Sequence, residues 1–126
     1  MTTKKIVFVA NTPFTEVMQA WSSDTGLEFE LHDSKTDMLE LAEGLAIFHE
    51  NHNFSKETEE LRDLFDKSNK PVHKVDINGT LVATTSNLLL WMERERLTSL
   101  LVLGNPELAV NENLKRFLDK LVATDN

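Results

Sequence analysis

Histidine, glutamate and asparagine crowd one short stretch of this chain, His49-Glu50-Asn51-His52-Asn53-Phe54-Ser55. Two imidazoles beside a carboxylate have the donor types that Zn²⁺, Ni²⁺ or Mn²⁺ accepts. The two histidines are three residues apart in a turn-like run, not at i, i+4 on a helix, and no third ligand is specified. The spacing therefore points to a polar, ligand-contacting loop, with His49, Asn51, His52, Asn53 and Ser55 as contacts, and to no metal. A second stretch, Asn11-Thr12-Pro13-Phe14-Thr15, places an amide and two hydroxyls at a helix start. Side-chain and backbone donors at such an end, aided by the helix dipole, can cradle a phosphate. Asn11, Thr12 and Thr15 are the candidates there. His32-Asp33 is a further polar pair, and Glu57, Glu59 and Glu60 crowd a helix start where negative charge is stabilised.

These residues need elements to hold them. Five short apolar runs, Ile6–Ala10, Leu27–Leu31, Leu45–Phe48, Pro71–Ile77 and Leu100–Gly104, are each followed by a polar stretch of helical pattern. Strand and helix alternating in this way define an α/β domain with a mostly parallel sheet, whose ligands bind at the carboxyl ends of the strands. Leu27, Phe29 and Leu31 alternate with Glu28, Glu30 and His32, so the second strand has a wet face and belongs at an edge. Thr12 is the expected N-cap of the first helix, Pro13 suits its first position, and Gly26 ends it. Ser34 and Asp37 read as a capping box for a second helix closed by Gly44. Asn53 or Ser55 caps a third, with Leu61, Leu64 and Phe65 as its stripe. Asn78-Gly79 is a strong hairpin signal. The reading adopted is a brief extended segment at Leu81–Ala83 and then a helix from about Thr84 to Leu97. A last helix over Asn111–Val122 carries Leu114, Phe117, Leu118 and Leu121 on one face.

The chain is expected to be one domain, residues 1–126, folded as a three-layer sandwich of flavodoxin-like or Rossmann-like type. The edge character of the second strand favours the flavodoxin order 2-1-3-4-5, in which strands one and three flank the switch point. That order would make the loops at Asn11–Thr15 and His49–Ser55 face each other. Over about five residues the first loop resembles the hydroxyl-rich phosphate loop of flavodoxins, with Pro13-Phe14 where those loops use glycine. Receiver domains of response regulators share this length and alternation. Where they carry an acidic pair, a phosphorylated Asp and a Lys, this chain has Asn11-Thr12, His49-Glu50 and Gly104-Asn105.

From the third strand onward the chain resembles the molybdenum-carrier proteins, a Rossmann-like group allied to the lysine-decarboxylase-like nucleotide-handling proteins. The resemblance lies in Ala46–Phe48, Glu57-Thr58-Glu59-Glu60-Leu61, Lys70-Pro71-Val72-His73-Lys74-Val75-Asp76, Trp91-Met92 and Leu101-Val102-Leu103-Gly104-Asn105-Pro106-Glu107. It is also similar to the pattern of nucleoside deoxyribosyltransferases and Toll-type domains. The group's Gly-Gly-Thr turn is replaced by Asn51–Ser55, and its Gly-Pro-Arg-Glu segment by Gly104-Asn105-Pro106-Glu107, without the Arg. The resemblance implies nucleotide handling and, at Glu57 or Glu60, the position of a glutamate that serves in N-glycosidic bond chemistry.

Composition narrows the partners. Among 126 residues, 21 are acidic and 13 basic, so a formal charge of −8 would repel nucleic acid and anionic membranes. No cysteine is present, which excludes disulfides, thiol nucleophiles and Cys-ligated metals. No run approaches a membrane span, and a soluble cytoplasmic protein is expected. Leu88-Leu89-Leu90-Trp91-Met92 is apolar around much of a helix, which places it deep in the core or, as the alternative, at a homodimer interface through Leu88, Trp91 and Met92. The expected function is a small non-catalytic module binding a phosphate-bearing, nucleotide-like molecule or a protein partner at the carboxyl ends of strands one and three. An enzyme acting on a nucleoside or nucleotide N-glycosidic bond and a dimeric structural or regulatory subunit are the alternatives. No cofactor is specified.

Overall fold

Runs that are apolar on both faces belong inside a sheet, and here they form its centre. The computed structural model describes residues 3–9, 12–32 and 38–125, with only the backbone beyond residue 121. The strands are β1 (Lys5–Val9), β2 (Glu28–His32), β3 (Gly44–His49), β4 (Val72–Asp76) and β5 (Ser99–Gly104). All pairings are parallel, in the order β2-β1-β5-β3-β4. The expected order 2-1-3-4-5 is thus corrected: β5 separates β1 from β3. Leu100–Leu103 is buried on both faces, as a middle strand must be, whereas β4 carries His73 and exposed Lys74 and lies at an edge. β2 takes the other edge, as its alternation required.

Alternate residues of the same strands feed two cores. Ile6, Phe8, Phe48, Leu100 and Val102 point to the side covered by α1 (Pro13–Thr25), α4 (Leu81–Arg94) and α5 (Glu112–Asp125). Val7, Leu45, Ile47, Leu101 and Leu103 point to the side covered by α2 (Met38–Leu41) and α3 (Lys56–Lys67). The result is a three-layer α/β sandwich of the Rossmann/flavodoxin-like kind. No helix among the described residues is long and apolar enough to cross a membrane.

Several boundaries differ from the sequence reading. Leu81–Ala83 is helical from the outset, with Thr80 as N-cap, so no extended segment follows Asn78-Gly79. These residues are exposed, and joining the helix gives their backbone groups hydrogen bonds that three unpaired extended residues would lack. α2 ends at Leu41, and Gly44 is instead the first residue of β3, where an added Cβ would lie 2.8 Å from Leu97. The Ser34–Asp37 capping box and Asp33 fall outside the described residues. Leu88, Trp91 and Met92 are core residues, each 5% exposed or less, because α4 packs on both the sheet and α5 and needs a wide apolar stripe. The member of that run left outside is Leu90, 63% exposed.

Candidate functional site

At the carboxyl end of β3 the chain makes a tight turn. Asn53 N–H donates to Glu50 O at 3.1 Å, and the two residues between, Asn51 and His52, have φ of 55° and 60°. Positive φ at both central positions marks the mirror-image turn normally filled by Asn-Gly. Asn and His are among the non-glycine residues found there most often, though both adopt it at a cost. His52 N–H is held by a second bond, to Nδ1 of His49 at 3.1 Å. The His49 ring is only 2% exposed, stacks on His52 with centroids 4.9 Å apart, and meets Phe54 at 5.0 Å. Lys74 on β4 lies over the Phe54 ring, 5.5 Å from its centre. Burial drives the His49 imidazole below its ordinary value of 6.5; Asp76 opposes this, and the charges of His52 and Lys74 add to it.

Because β5 neighbours β3, the segment after β5 crosses this turn. A 3-10 turn, Pro106–Val110, is tied down on either side by asparagine side chains. Asn105 Nδ2 donates to Asn53 O at 3.1 Å, and Asn111 Nδ2 donates to Glu50 Oε2 at 3.0 Å. A third bridge, Asn113 Nδ2 to Asn78 Oδ1 at 2.7 Å, reaches the loop after β4. Between the strap and the turn lies a cleft of about 330 Å³, lined by Glu50, Asn51, Asn53, Asn105, Glu107 and Leu108. Its polar groups are carboxylates and carboxamides, which suit ligand hydroxyls and amino groups, and Leu108 adds an apolar wall; no Lys or Arg lines it among the described residues.

The other expected contacts are occupied by structural duties. Thr15 N–H donates to Thr12 Oγ1 (3.3 Å), Thr12 N–H to Thr15 Oγ1 (2.8 Å), and Thr15 Oγ1–H to Thr12 O (2.8 Å). Thr12 and Thr15 thus close a capping box on α1, with Thr15 buried, while Asn11 lies outside the described residues. Ser55 caps α3, accepting from Thr58 N–H at 3.2 Å. Glu57 and Glu60 are exposed on α3 and do not line the cleft. His32 pairs with Glu30 at 2.9 Å on the outer strand β2, where Lys5 also reaches Glu30 at 3.0 Å. Among the described residues no group of three or more His, Asp or Glu side chains could hold a metal ion.

Of the expected site residues, the cleft therefore gathers Asn51 and Asn53, with His49 and His52 supporting their turn. Sequence reasoning missed the contribution of the strap, Asn105, Glu107 and Leu108, because the assumed strand order put β1 beside β3. A second hollow of about 330 Å³ lies between α1 and α5 over Val17, Trp21, Leu114 and Leu118. Trp21 Nε1 is buried there without a hydrogen-bond partner among the described residues. Compared with known proteins, the chain matches no family model, no curated protein and no solved structure.

Proposed function

We propose that the chain is a non-catalytic binding module that takes a nucleotide-like small molecule in the cleft at the carboxyl ends of β3 and β5. The observation that carries this reading is the convergence of two carboxylates and three carboxamides, Glu50, Glu107, Asn51, Asn53 and Asn105, on one cleft. Such groups accept from and donate to vicinal hydroxyls and amino groups, the outline of a nucleoside. A phosphate gains nothing from the acidic wall and would be directed to the start of α1, whose dipole favours anions. That helix start is adjacent: Phe14, its second residue, packs on Gly104, one residue before Asn105.

Thermal denaturation with nucleosides, nucleotides and sugar phosphates tests the reading. Ligand at one hundred times its Kd stabilises by about 2.7 kcal/mol. Unfolding entropy of ~2.1 cal/mol/K per residue over 126 residues turns that into a rise of roughly 10 °C. The rise should shrink in Glu107→Gln and Asn53→Ala. No rise with any member of the panel would end the proposal.

A further inference from the structure

The turn that walls the cleft is braced by one imidazole, whose Nδ1 accepts from His52 N–H. We propose that His49 is a pH-sensitive latch: protonation of its Nδ1 releases the His52 amide and loosens the β3–α3 turn that carries Glu50, Asn51 and Asn53. In the neutral ring Nδ1 accepts from His52 N–H, so the ring proton belongs on Nε2. A proton added at Nδ1 places two N–H donors face to face, and the bond is lost. What remains is a turn whose Asn51 and His52 sit at φ of 55° and 60°, a conformation that persists where surrounding contacts hold it. The other ties are Asn53 N–H to Glu50 O, within the turn, and, from the two ends of the strap, Asn105 Nδ2 to Asn53 O and Asn111 Nδ2 to Glu50 Oε2.

The charged groups that act on His49 come from β4 and from the turn. Asp76 on β4 stands opposite it in the strand register and favours the imidazolium. Its pull is shared, because Asp76 Oδ1 also accepts from Asn78 N–H at 2.9 Å. Lys74, from the same strand, and the stacked His52 ring, from the turn, both oppose the added charge. Desolvation is the largest influence and the net direction is downward, so the latch stays closed at neutral pH and opens in acid. The sign follows from linkage. Unfolded His49 takes up its proton first, so the stabilisation is complete above about pH 6.5 and falls as the pH drops below that value. As regulation of the cleft, the latch rests on the ligand reading above; as a property of the turn, it stands without it.

The test needs no ligand. In the isotopically labelled protein, long-range ¹H–¹⁵N spectra report which His49 nitrogen carries the proton. Backbone spectra follow the His52 and Asn53 amides from about pH 8 to about pH 5. The expected result is a neutral Nε2–H tautomer and a His49 midpoint below 6.5. Both amides should shift with that midpoint. His49→Asn offers an acceptor oxygen that does not titrate, and should abolish the amide transition. His52→Gly keeps the backbone N–H and removes the neighbouring ring, and should retain it. The proposal is overturned by a proton on Nδ1, by amides that do not follow His49, by a transition that survives in His49→Asn, or by one that disappears in His52→Gly. If His49→Asn does not fold, the tautomer and His52→Gly still decide. Because no cleft ligand is involved, such a failure leaves the binding reading untouched, and an empty ligand panel leaves the latch untouched.

Discussion

Gly104 should not tolerate even one methyl group. A Cβ built there lies 2.6, 2.7 and 2.9 Å from three carbons of the Phe14 ring. Ordinary carbon contacts are about 3.5–4.0 Å, so the ring would have to retreat by roughly 1 Å. It has nowhere to go: Phe14 is 1% exposed and is backed by Phe48, with ring centres 5.9 Å apart. Overpacking of this kind costs about 1–3 kcal/mol. With an unfolding entropy of ~2.1 cal/mol/K per residue over 126 residues, Gly104→Ala should lower Tm by roughly 4–11 °C. Urea titration and calorimetry measure the loss directly. A second background separates collision from any general effect of losing glycine. In Phe14→Leu the smaller side chain leaves room, and adding Gly104→Ala should then cost less by at least about 1 kcal/mol, a coupling typical of touching residues. A single mutant within about 0.5 kcal/mol of wild type, or equal costs in both backgrounds, would refute the argument.

Three further outcomes follow from the structure. Lys70 Nζ donates to the carbonyls of Leu39 and Ala42, closing the short α2 and its exit. Lys70→Met should lose about 1–2 kcal/mol in urea titration, whereas exposed Lys67→Met should lose almost nothing. Hydrogen bonds from the Thr98 hydroxyl and N–H hold the Glu43 carboxyl below its ordinary 4.5. Its contribution is complete above about pH 4.5 and is lost as acid titrates it below that value, so Glu43→Gln should flatten the acid limb of a stability–pH curve. Trp21→Phe removes a buried N–H that has no partner among the described residues. Its cost by chemical denaturation should stay below about 1 kcal/mol, because relief of the unpaired donor offsets part of the lost volume.

Much of the fold was legible because it is local. Val7 and Phe8 in β1, the Glu-Phe-Glu-Leu-His alternation of β2, and the Thr12, Pro13 and Gly26 signals around α1 each settle their own neighbourhood. Strand order is not local. Leu45–Phe48 and Leu100–Leu103 are equally apolar, so nothing in either says which one lies beside β1; only the packing of five helices against the sheet decides. The same gap hid half of the cleft. Asn51 and Asn53 announced themselves as a polar loop, but Asn105 and Glu107 became neighbours of that loop only once β5 was beside β3. Leu88, Trp91 and Met92 left two readings open, core or interface, and the core one holds: a wide apolar helix looks the same in sequence whether it faces a partner chain or its own α5.

The position of β5 also shapes how the molecule must be made. Of the five described strands, the one that joins β1 to β3 is synthesised after the other four. Until Ser99–Gly104 has left the ribosome, the nascent chain can build only two separate two-stranded ribbons, β1 with β2 and β3 with β4, and such pairs are marginal in water. Each ribbon then displays a bare, strongly apolar edge, β1 on one and β3 on the other, the kind of edge that recruits strands from other chains. A stalled or truncated product ending before residue 99 should therefore depend on a chaperone and aggregate without one, while completion of a single six-residue strand seals both edges at once.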